Sequence, residues 1–278
     1  MNPRSLILDM TRRFRSAGIP DPENDSAFLL AFLCGRNPLS LRLDTETELD
    51  QETVSRYLAL CERRIRREPL QYIMGECLFC GNSFLVTPDV LIPRPETELL
   101  CEWAVEKMDG RVCPKILDLC CGSGCIGITL KLRLPSSSVL LSDLSEAAAA
   151  VAQKNAERLS ADISVRTGNL FENICGHEFD LIISNPPYIP GAECRLLQEE
   201  VMREPVMALD GGRDGLDFYR RICREAPAHL RQNGILMFEL GEGQHSAVER
   251  LLTEAGFGCV EIRKDFQQIS RMISGVKS

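Results

Sequence analysis

The sequence predicts an α/β protein with two parts: a Rossmann-like, doubly wound sheet of seven strands with a terminal antiparallel hairpin strand, preceded by a small all-α N-terminal bundle. From Lys115 onward, short apolar runs rich in β-branched residues alternate with helical patterns, as in a doubly wound sheet. The last two strand patterns, 259–264 and 270–274, are too close in sequence for a helical crossover and predict a hairpin. The first 70 residues show helical spacing and no strand pattern.

The elements of the sheet follow from the lengths of these runs. Strands are predicted at 115–119, 138–142, 163–166, 180–184 and 235–240, and helices at 125–134, 146–159, 215–231 and 244–255. Three domains are expected: a helical domain over 1–70, a connector over 71–93 with a hairpin turn at Gly81-Asn82, and a ligand-binding domain over 94–278. Pro95 is placed to open a helix over 96–107.

Composition limits the classes of function. The 278 residues contain no apolar run near the roughly 20 residues that span a membrane, and the first residues do not resemble a secretory signal, so a soluble cytoplasmic protein is expected. The net charge of −8 disfavours a dedicated nucleic-acid binder. A basic cluster formed by Arg63, Arg64, Arg66 and Arg67 is interpreted as a solvated helix end.

Thirteen cysteines raise the question of a metal site or disulfides. Cys77 and Cys80 have CxxC spacing, but no second close pair accompanies them, and the histidines at 177, 229 and 245 are scattered. No metal site is therefore expected. In a cytosolic chain the thiols should be reduced and act as small hydrophobic side chains.

A glycine-rich loop follows the first strand of the predicted sheet. Gly122, Gly124 and Gly127 spell GxGxxG, which fits a dinucleotide or another nucleoside ligand. A carboxylate at Asp118 would repel a pyrophosphate but would suit the sulfonium and ammonium groups of S-adenosylmethionine. Asp143, at the end of the next strand, is placed to bond ribose hydroxyls of either ligand.

The fourth strand ends in Asn185-Pro186-Pro187-Tyr188. The two prolines end the strand, so that Asn185 is held at its carboxyl end, where open α/β sheets bind ligands. An amide or amino nitrogen can be aligned by donating its hydrogens to Asn185 Oδ1 and the Pro186 carbonyl, while Tyr188 supplies a flat apolar wall. Alignment with a methyl donor would then be most of the catalysis.

These motifs resemble those of methyltransferases that modify planar nitrogens, and the whole chain resembles the release-factor glutamine N5-methyltransferases, a family of class I S-adenosylmethionine-dependent methyltransferases. The match extends over about residues 69–265. Besides residues 185–188 it includes Pro69 to Gly75, Leu91 to Glu98 and Ala208 to Tyr219. The resemblance implies that residues 94–278 transfer a methyl group from S-adenosylmethionine. The acceptor would be the glutamine of the Gly-Gly-Gln loop in bacterial class 1 release factors, with residues 1–70 helping to dock that protein.

The resemblance also implies roles for particular residues. The cofactor would be bound by Cys120, Cys121, Gly122, Ser123, Gly124, Asp143, Asn169 and Leu170, with Asn185 to Tyr188 on the glutamine and Arg94 and Glu96 bordering the pocket. Cys120 and Cys121 stand where the family usually has Gly-Thr, and Asn169 replaces an acid. The final hairpin keeps Arg271 but lacks the usual Gly and Asp before it.

Three alternatives stay open on the residues alone. A nucleic-acid amino-methyltransferase shares the four-residue motif, but it would need a basic surface that this acidic chain does not show. A non-catalytic binding protein with the same fold is disfavoured by the intact Asn185, Asp118 and glycine loop. An NAD-dependent dehydrogenase has no use for Asn-Pro-Pro-Tyr. Neither membrane nor nucleic-acid partners are expected.

Overall fold

The computed structural model describes residues 1–174, 176 and 178–278, so that His177 lies outside the described residues. The described chain divides into two compact units. One contains Met1–Glu76 and Gln198–Arg203, and the other contains Cys77–Leu197 and Glu204–Ser278. The short segment 198–203 thus belongs with the N-terminal residues, although more than a hundred residues separate them in the sequence.

The first unit is helical. Its helices are α1 (Pro3–Ser16), α2 (Pro22–Cys34), α3 (Pro38–Leu43), α4 (Gln51–Ile65) and α5 (Leu70–Met74). Side chains of Asn2, Asp21, Asn37 and Asp50 accept hydrogen bonds from backbone N–H groups in the first turns of α1 to α4, which satisfies donors that have no partner within a helix. Leu30, Phe14 and Tyr57 are fully buried in its core.

The interpretation of the basic cluster as a solvated helix end was wrong for Arg64 and Arg67, although Arg63 and Arg66 are exposed. Arg64 is only 4% exposed; its Nε lies 2.7 Å from Asp25 Oδ2 and its Nη1 2.9 Å from Glu200 Oε1. Arg67 Nη2 donates to the other oxygen of Glu200 at 2.8 Å. These bonds hold segment 198–203 to the helical unit, because a buried guanidinium needs carboxylate partners.

The second unit begins with a hairpin and a helix. The hairpin pairs β1 (Glu76–Phe79) with β2 (Asn82–Leu85), and α6 (Pro95–Met108) starts at the proline that the sequence indicated. Phe79, Phe84 and the α6 residue Trp103 are buried in the core on one side of the main sheet.

The main sheet has seven strands, as predicted. They are β3 (Lys115–Leu119), β4 (Ser138–Asp143), β5 (Ser164–Thr167), β6 (Phe179–Ser184), β7 (Leu230–Glu239), β8 (Phe257–Lys264) and β9 (Ser270–Lys277), in the order β5-β4-β3-β6-β7-β9-β8. The helices between them are α7 (Cys125–Arg133), α8 (Glu146–Arg158), α9 (Asp217–Glu225) and α10 (His245–Glu254). Only β9 runs against its neighbours β7 and β8, which confirms the antiparallel hairpin strand.

The register of the central strands brings their carboxyl ends together. Leu119 pairs with Ser142 of β4 on one side and with Ser184 of β6 on the other, and Ser184 pairs with Phe238 of β7. Parallel strands end at the same edge of a sheet. Residues that follow these strands, including Asn185, therefore lie at one edge.

The predicted helix over 215–231 is wrong at both ends. Gly215 has a φ of +76°, outside the right-handed helical region, and α9 begins only at Asp217. At the other end α9 stops at Glu225, two residues before Pro227, whose ring and missing N–H do not fit a helix interior. Residues 226–228 form a short 3₁₀ turn and β7 begins at Leu230.

None of the helices in the described residues is long and apolar enough to cross a membrane. Among the cysteines that the structure describes, none forms a disulfide. Within those same parts of the chain, no group of three or more His, Cys, Asp or Glu side chains could hold a metal ion.

Candidate active site

A cavity of about 510 Å³ lies at the carboxyl edge of the sheet, entirely within the second unit. It is bounded by the ends of β3, β4 and β6, by residues 89–91 before α6, and by residues 205–208 before α9. Its wall combines three carboxylates and an amide with many apolar side chains: Asp89, Val90, Leu91, Cys120, Gly122, Asp143, Leu144, Ser145, Ala148, Asn185, Pro187, Pro205, Val206, Met207, Ala208, Asp210 and Phe218.

The glycine loop forms one wall of this cavity because its backbone adopts left-handed conformations. Cys120, Gly122 and Gly124 have φ values of +58°, +52° and +79°. A Cβ on Gly122 would meet no described atom within 4 Å, so the missing side chain leaves open space beside the cavity. Gly124 instead packs tightly, since a Cβ there would lie 2.8 Å from Leu141 Cδ2.

Asp143 fixes the loop and faces the cavity. Its Oδ2 accepts a hydrogen bond from Gly122 N at 2.8 Å, and its Oδ1 accepts one from Ser145 N at 2.9 Å. Burial raises the pKa of the carboxyl group, although these backbone bonds oppose the shift. Each carboxylate oxygen has a further lone pair, so the group can also accept hydrogen bonds from hydroxyls of a ligand.

Asp118 lies elsewhere than the sequence analysis expected. Its side chain is fully buried behind the loop, where Oδ2 accepts a hydrogen bond from Gly127 N at 2.9 Å, and it does not line the cavity. Desolvation raises its pKa to about 7. The strand position was correct, but the side chain turns toward the first turn of α7 rather than toward the cavity.

Asn185 lines the cavity with its side-chain amide in a defined orientation. Its Nδ2 donates to Thr97 Oγ1 at 3.4 Å, and its Oδ1 accepts no hydrogen bond from the residues that the structure describes. Thr97 Oγ1 in turn donates to Glu239 Oε2 at 2.6 Å. The amide therefore offers an oxygen acceptor for an incoming N–H donor.

The rest of the motif is held by a glutamine that the sequence analysis did not select. Gln244 Nε2 donates to the Tyr188 carbonyl at 2.8 Å, and Gln244 Oε1 accepts from Gly241 N at 3.0 Å. Pro186 is buried, Pro187 lines the cavity and Tyr188 is half-buried beside Gly241. Burial raises the pKa of Tyr188 to about 12, so its ring stays neutral.

Arg94 acts on the cavity wall rather than lining it. Its guanidinium lies 2.5 Å from Glu204 Oε1, while Glu204 Oε2 accepts a hydrogen bond from Ile92 N at 3.0 Å. Glu204 thereby ties the wall segment that begins at Pro205 to the segment before α6. Glu96, in the first turn of α6, does not line the cavity.

The structure brings five of the predicted site residues to the cavity wall: Cys120, Gly122, Asp143, Asn185 and Pro187. Others lie behind it. Cys121, Ser123 and Leu170 are buried, and Asn169 Oδ1 accepts a hydrogen bond from Arg221 Nη2 at 2.6 Å. Hydrogen bonding to Arg221 directs this amide away from the cavity.

Several wall residues were not identified from the sequence. Leu144, Ser145 and Ala148 follow Asp143, and Val206 and Met207 are exposed apolar side chains at the wall. Glu239, which lies behind the wall, was also not identified, although the sequence carried a signal for it. A lone carboxylate after the apolar run Ile235 to Phe238 marks the carboxyl end of a strand.

The cavity fits S-adenosylmethionine. The open space at Gly122 admits a ligand close to the backbone, Asp143 can accept hydrogen bonds from ribose hydroxyls, and Leu144 and Ala148 give an apolar wall for a base. Asn185 opens into the same cavity, so that a methyl donor and an acceptor nitrogen can meet there. The fold and this site define an S-adenosylmethionine-dependent methyltransferase.

Comparison with known proteins gives the family. A family model for the methyltransferase small domain matches residues 96–213, and one for the PrmC N-terminal domain matches residues 5–75. The release factor glutamine methyltransferase of Geobacter sulfurreducens is 41% identical over 271 residues, which cover 97% of this chain and 95% of that protein. That of Chlorobaculum tepidum is 40% identical over 273 residues, covering 94% and 92%. The chain belongs to the release factor glutamine methyltransferase family.

A solved structure shows the same fold at lower sequence identity. The methyltransferase from Pyrococcus furiosus superposes with a TM-score of 0.55 and 18% identity, covering 72% of this chain and 90% of that one. Membership of the family excludes the dehydrogenase alternative for this chain.

Proposed function

We propose that this protein transfers a methyl group from S-adenosylmethionine to the side-chain amide nitrogen of a glutamine, that of the Gly-Gly-Gln motif in bacterial class 1 release factors. The observation that carries the proposal is the Asn185 amide, whose Oδ1 is available at the cavity wall while its Nδ2 is held by Thr97. The relatives named as release factor glutamine methyltransferases support this choice of acceptor.

The acceptor amide would be held by residues 185–188. Its two N–H groups would donate to Asn185 Oδ1 and the Pro186 carbonyl, because both are acceptors and a primary amide has two donors to align. Tyr188 would limit the amide to one plane. Such alignment is worth several kcal/mol in a reaction where the nucleophile is weak. Arg94 would act through Glu204, by holding the wall that carries Val206 and Met207.

The cofactor would be held by Gly122 and Asp143, with the loop itself fixed by Cys120, Cys121, Ser123 and Gly124. Asp118, Asn169 and Leu170 would contribute from behind, by supporting the loop and the segment after β5. When bound, S-adenosylmethionine supplies an electrophilic methyl group, which bonds to the amide nitrogen as the C–S electron pair stays on sulfur and an amide proton leaves to solvent. Asn185 does not act as a general base, since an asparagine amide does not take up a proton near neutral pH, and no base is needed before transfer if the proton leaves afterwards.

The helical residues 1–70 would help to dock the release factor, with 71–93 as the connector and 94–278 as the catalytic domain. The match of residues 5–75 to the PrmC N-terminal domain supports a separate role for this part. Because release factors act on ribosomes, the protein would work in the cytoplasm.

The proposal is tested by incubating the protein with methyl-labelled S-adenosylmethionine and either a purified release factor, total RNA or DNA. Label on the Gly-Gly-Gln glutamine, located by mass spectrometry, is the expected result. A release factor with that glutamine changed to glutamate serves as the matched acceptor control. Label on nucleic acid alone would contradict the proposal and favour the amino-methyltransferase of bases.

The role of Asn185 is tested in the same assay. Asn185→Ala removes the acceptor for the amide N–H and should abolish transfer, while cofactor binding measured by calorimetry persists at least in part. Gln153→Ala, which removes an exposed amide on α8 away from the cavity, is the control and should leave transfer unchanged. Normal turnover by Asn185→Ala would refute the role given to this residue.

A further inference from the structure

Behind Asn185 lies a pair of buried polar residues that the reaction described above does not use. Thr97 and Glu239 are each only 2% exposed, and neither lines the cavity. We propose that Thr97 and Glu239 are positioning residues that fix which end of the Asn185 amide faces the acceptor. This inference rests on the proposed function, because it assigns the orientation of the group that aligns the glutamine.

The two residues come from different elements: the sheet register places Glu239 beside Asn185, and helix α6 brings Thr97 to both. Glu239 is the last residue of β7, and its neighbour Phe238 pairs with Ser184, the residue before Asn185. Thr97 lies in the first turn of α6. Tyr219 Oη donates to the backbone carbonyl of Glu239 at 2.8 Å, which fixes the end of β7.

The orientation follows from the direction of each hydrogen bond. When Glu239 is ionised, its carboxylate can only accept, so the Thr97 hydroxyl then directs its one proton to Glu239 Oε2, at 2.6 Å. The Thr97 oxygen is then left only as an acceptor toward Asn185. Asn185 Nδ2 satisfies it at 3.4 Å, whereas a flipped amide would place Oδ1 against another oxygen acceptor.

The pair determines whether Asn185 presents its oxygen or its NH2 group to the acceptor amide. Without the pair, the Asn185 amide could turn over and present N–H groups to the N–H groups of a glutamine amide, which cannot bond to one another. With the pair, Oδ1 faces the cavity before any acceptor arrives, and such preorganised groups cost no reorganisation during the reaction.

The Thr97 hydroxyl is not used to cap helix α6. The helix starts after Arg94 without a side-chain cap, and Thr97 makes its hydrogen bonds to Glu239 and Asn185 instead. The charged and titratable groups around Glu239 include Arg271 on β9, Glu96 on α6, Cys125 on α7, Tyr219 on α9 and Tyr188 beside the cavity. Desolvation raises the pKa of Glu239 to about 7, whereas the hydrogen bond from Thr97, the charge of Arg271 and the Asn185 side chain favour the ionised carboxylate that this arrangement needs. The ionised form therefore predominates above about pH 7.

The test compares Thr97→Val with Thr97→Ser in the transfer assay on a release factor. Valine keeps the shape but removes the hydroxyl, and we expect kcat to fall about 10- to 100-fold, with the KM for S-adenosylmethionine within about threefold of wild type. Serine keeps the hydroxyl and should retain kcat within about threefold. Unfolding temperatures measured for both variants separate this loss from a loss of stability.

Glu239→Gln provides a second variant should valine at position 97 prevent folding. The glutamine side chain can donate as well as accept, so the hydroxyl of Thr97 loses its fixed direction and kcat should fall while cofactor affinity persists. Wild-type kcat in Thr97→Val or Glu239→Gln overturns the inference, and so does a Thr97→Ser variant as slow as Thr97→Val. Wild-type protein that labels no release factor would instead overturn the proposed function, which distinguishes the two failures.

Discussion

We propose that Tyr188 contributes a flat surface to the site rather than a titrating group. Its pKa is raised by burial to about 12, and its ring packs next to Gly241, where an added Cβ would lie 3.1 Å from Tyr188 Cδ2. Tyr188→Phe keeps that surface and should retain kcat within about threefold, whereas Tyr188→Ala should lower kcat more than about tenfold because the acceptor plane is no longer confined. Steady-state methyl transfer measures both, and equal losses in the two variants would point to the hydroxyl instead.

At this same scale, the sequence indicated which residues stand at strand ends but not where each side chain points. Asn185 and Asp143 do line the cavity, because prolines or a helix start hold them at the sheet edge. Asp118 turns behind the loop to bond Gly127 N, and Asn169 is directed away by Arg221. Thr97 and Glu239 could not be paired in advance, since 142 positions separate them and they meet only where helix α6 packs near the end of β7.

At the scale of the secondary-structure elements, the turn into α7 requires glycine at position 124 for two reasons, its backbone conformation and its tight packing. Gly124 has a φ of +79°, and a Cβ there would meet Leu141 Cδ2 at 2.8 Å and Ala152 Cβ at 3.1 Å. Gly124→Ala should lower the free energy of unfolding by about 2–4 kcal/mol, from backbone strain and overpacking together. Gly110→Ala shares the positive φ but meets open space, so it should cost only about 1–2 kcal/mol. Urea denaturation of both variants checks the difference, and equal costs would contradict the packing argument.

Elements with strong local signals agreed with the sequence prediction. The strand over 115–119 has the predicted bounds, and the others differ by a few residues, because apolar runs and prolines mark them locally. The helix predicted over 215–231 ends earlier, since Pro227 outweighs the helical pattern around it. The wall segment 205–208 gave no periodic signal, and its place at the cavity depends on the distant Arg94–Glu204 pair.

At the scale of the whole molecule, two buried carboxyl groups make the folded state less stable as the pH rises. Burial raises the pKa of Asp118 and of Glu239 to about 7 each, above the ordinary values of 3.8 and 4.5. Between those ordinary values and 7 the folded state binds more protons than the unfolded state, so these groups lower stability as pH rises through that range. We expect the unfolding temperature to fall between about pH 5 and pH 8.

Asp118→Asn removes one of the two titrations and keeps an acceptor for Gly127 N, so it should flatten this fall. Asp162→Asn, at an exposed position, is the control and should keep the wild-type slope. Scanning calorimetry across the pH range measures both. A wild-type unfolding temperature that rises over this range would show that other groups dominate.

The bonds from Arg64 and Arg67 to Glu200 also affect the order in which parts of the protein fold during synthesis. Chains leave the ribosome from the N-terminus at about 5–20 residues per second, and domains commonly fold as they emerge. The first helical unit is complete in sequence at Glu76 except for segment 198–203, which emerges roughly 120 residues, or about 6–24 s, later. During that interval Arg64 has only Asp25 as a carboxylate partner, and Arg67 lacks both Glu199 and Glu200. The N-terminal unit therefore reaches its final ion pairing only after most of the second unit has been synthesised.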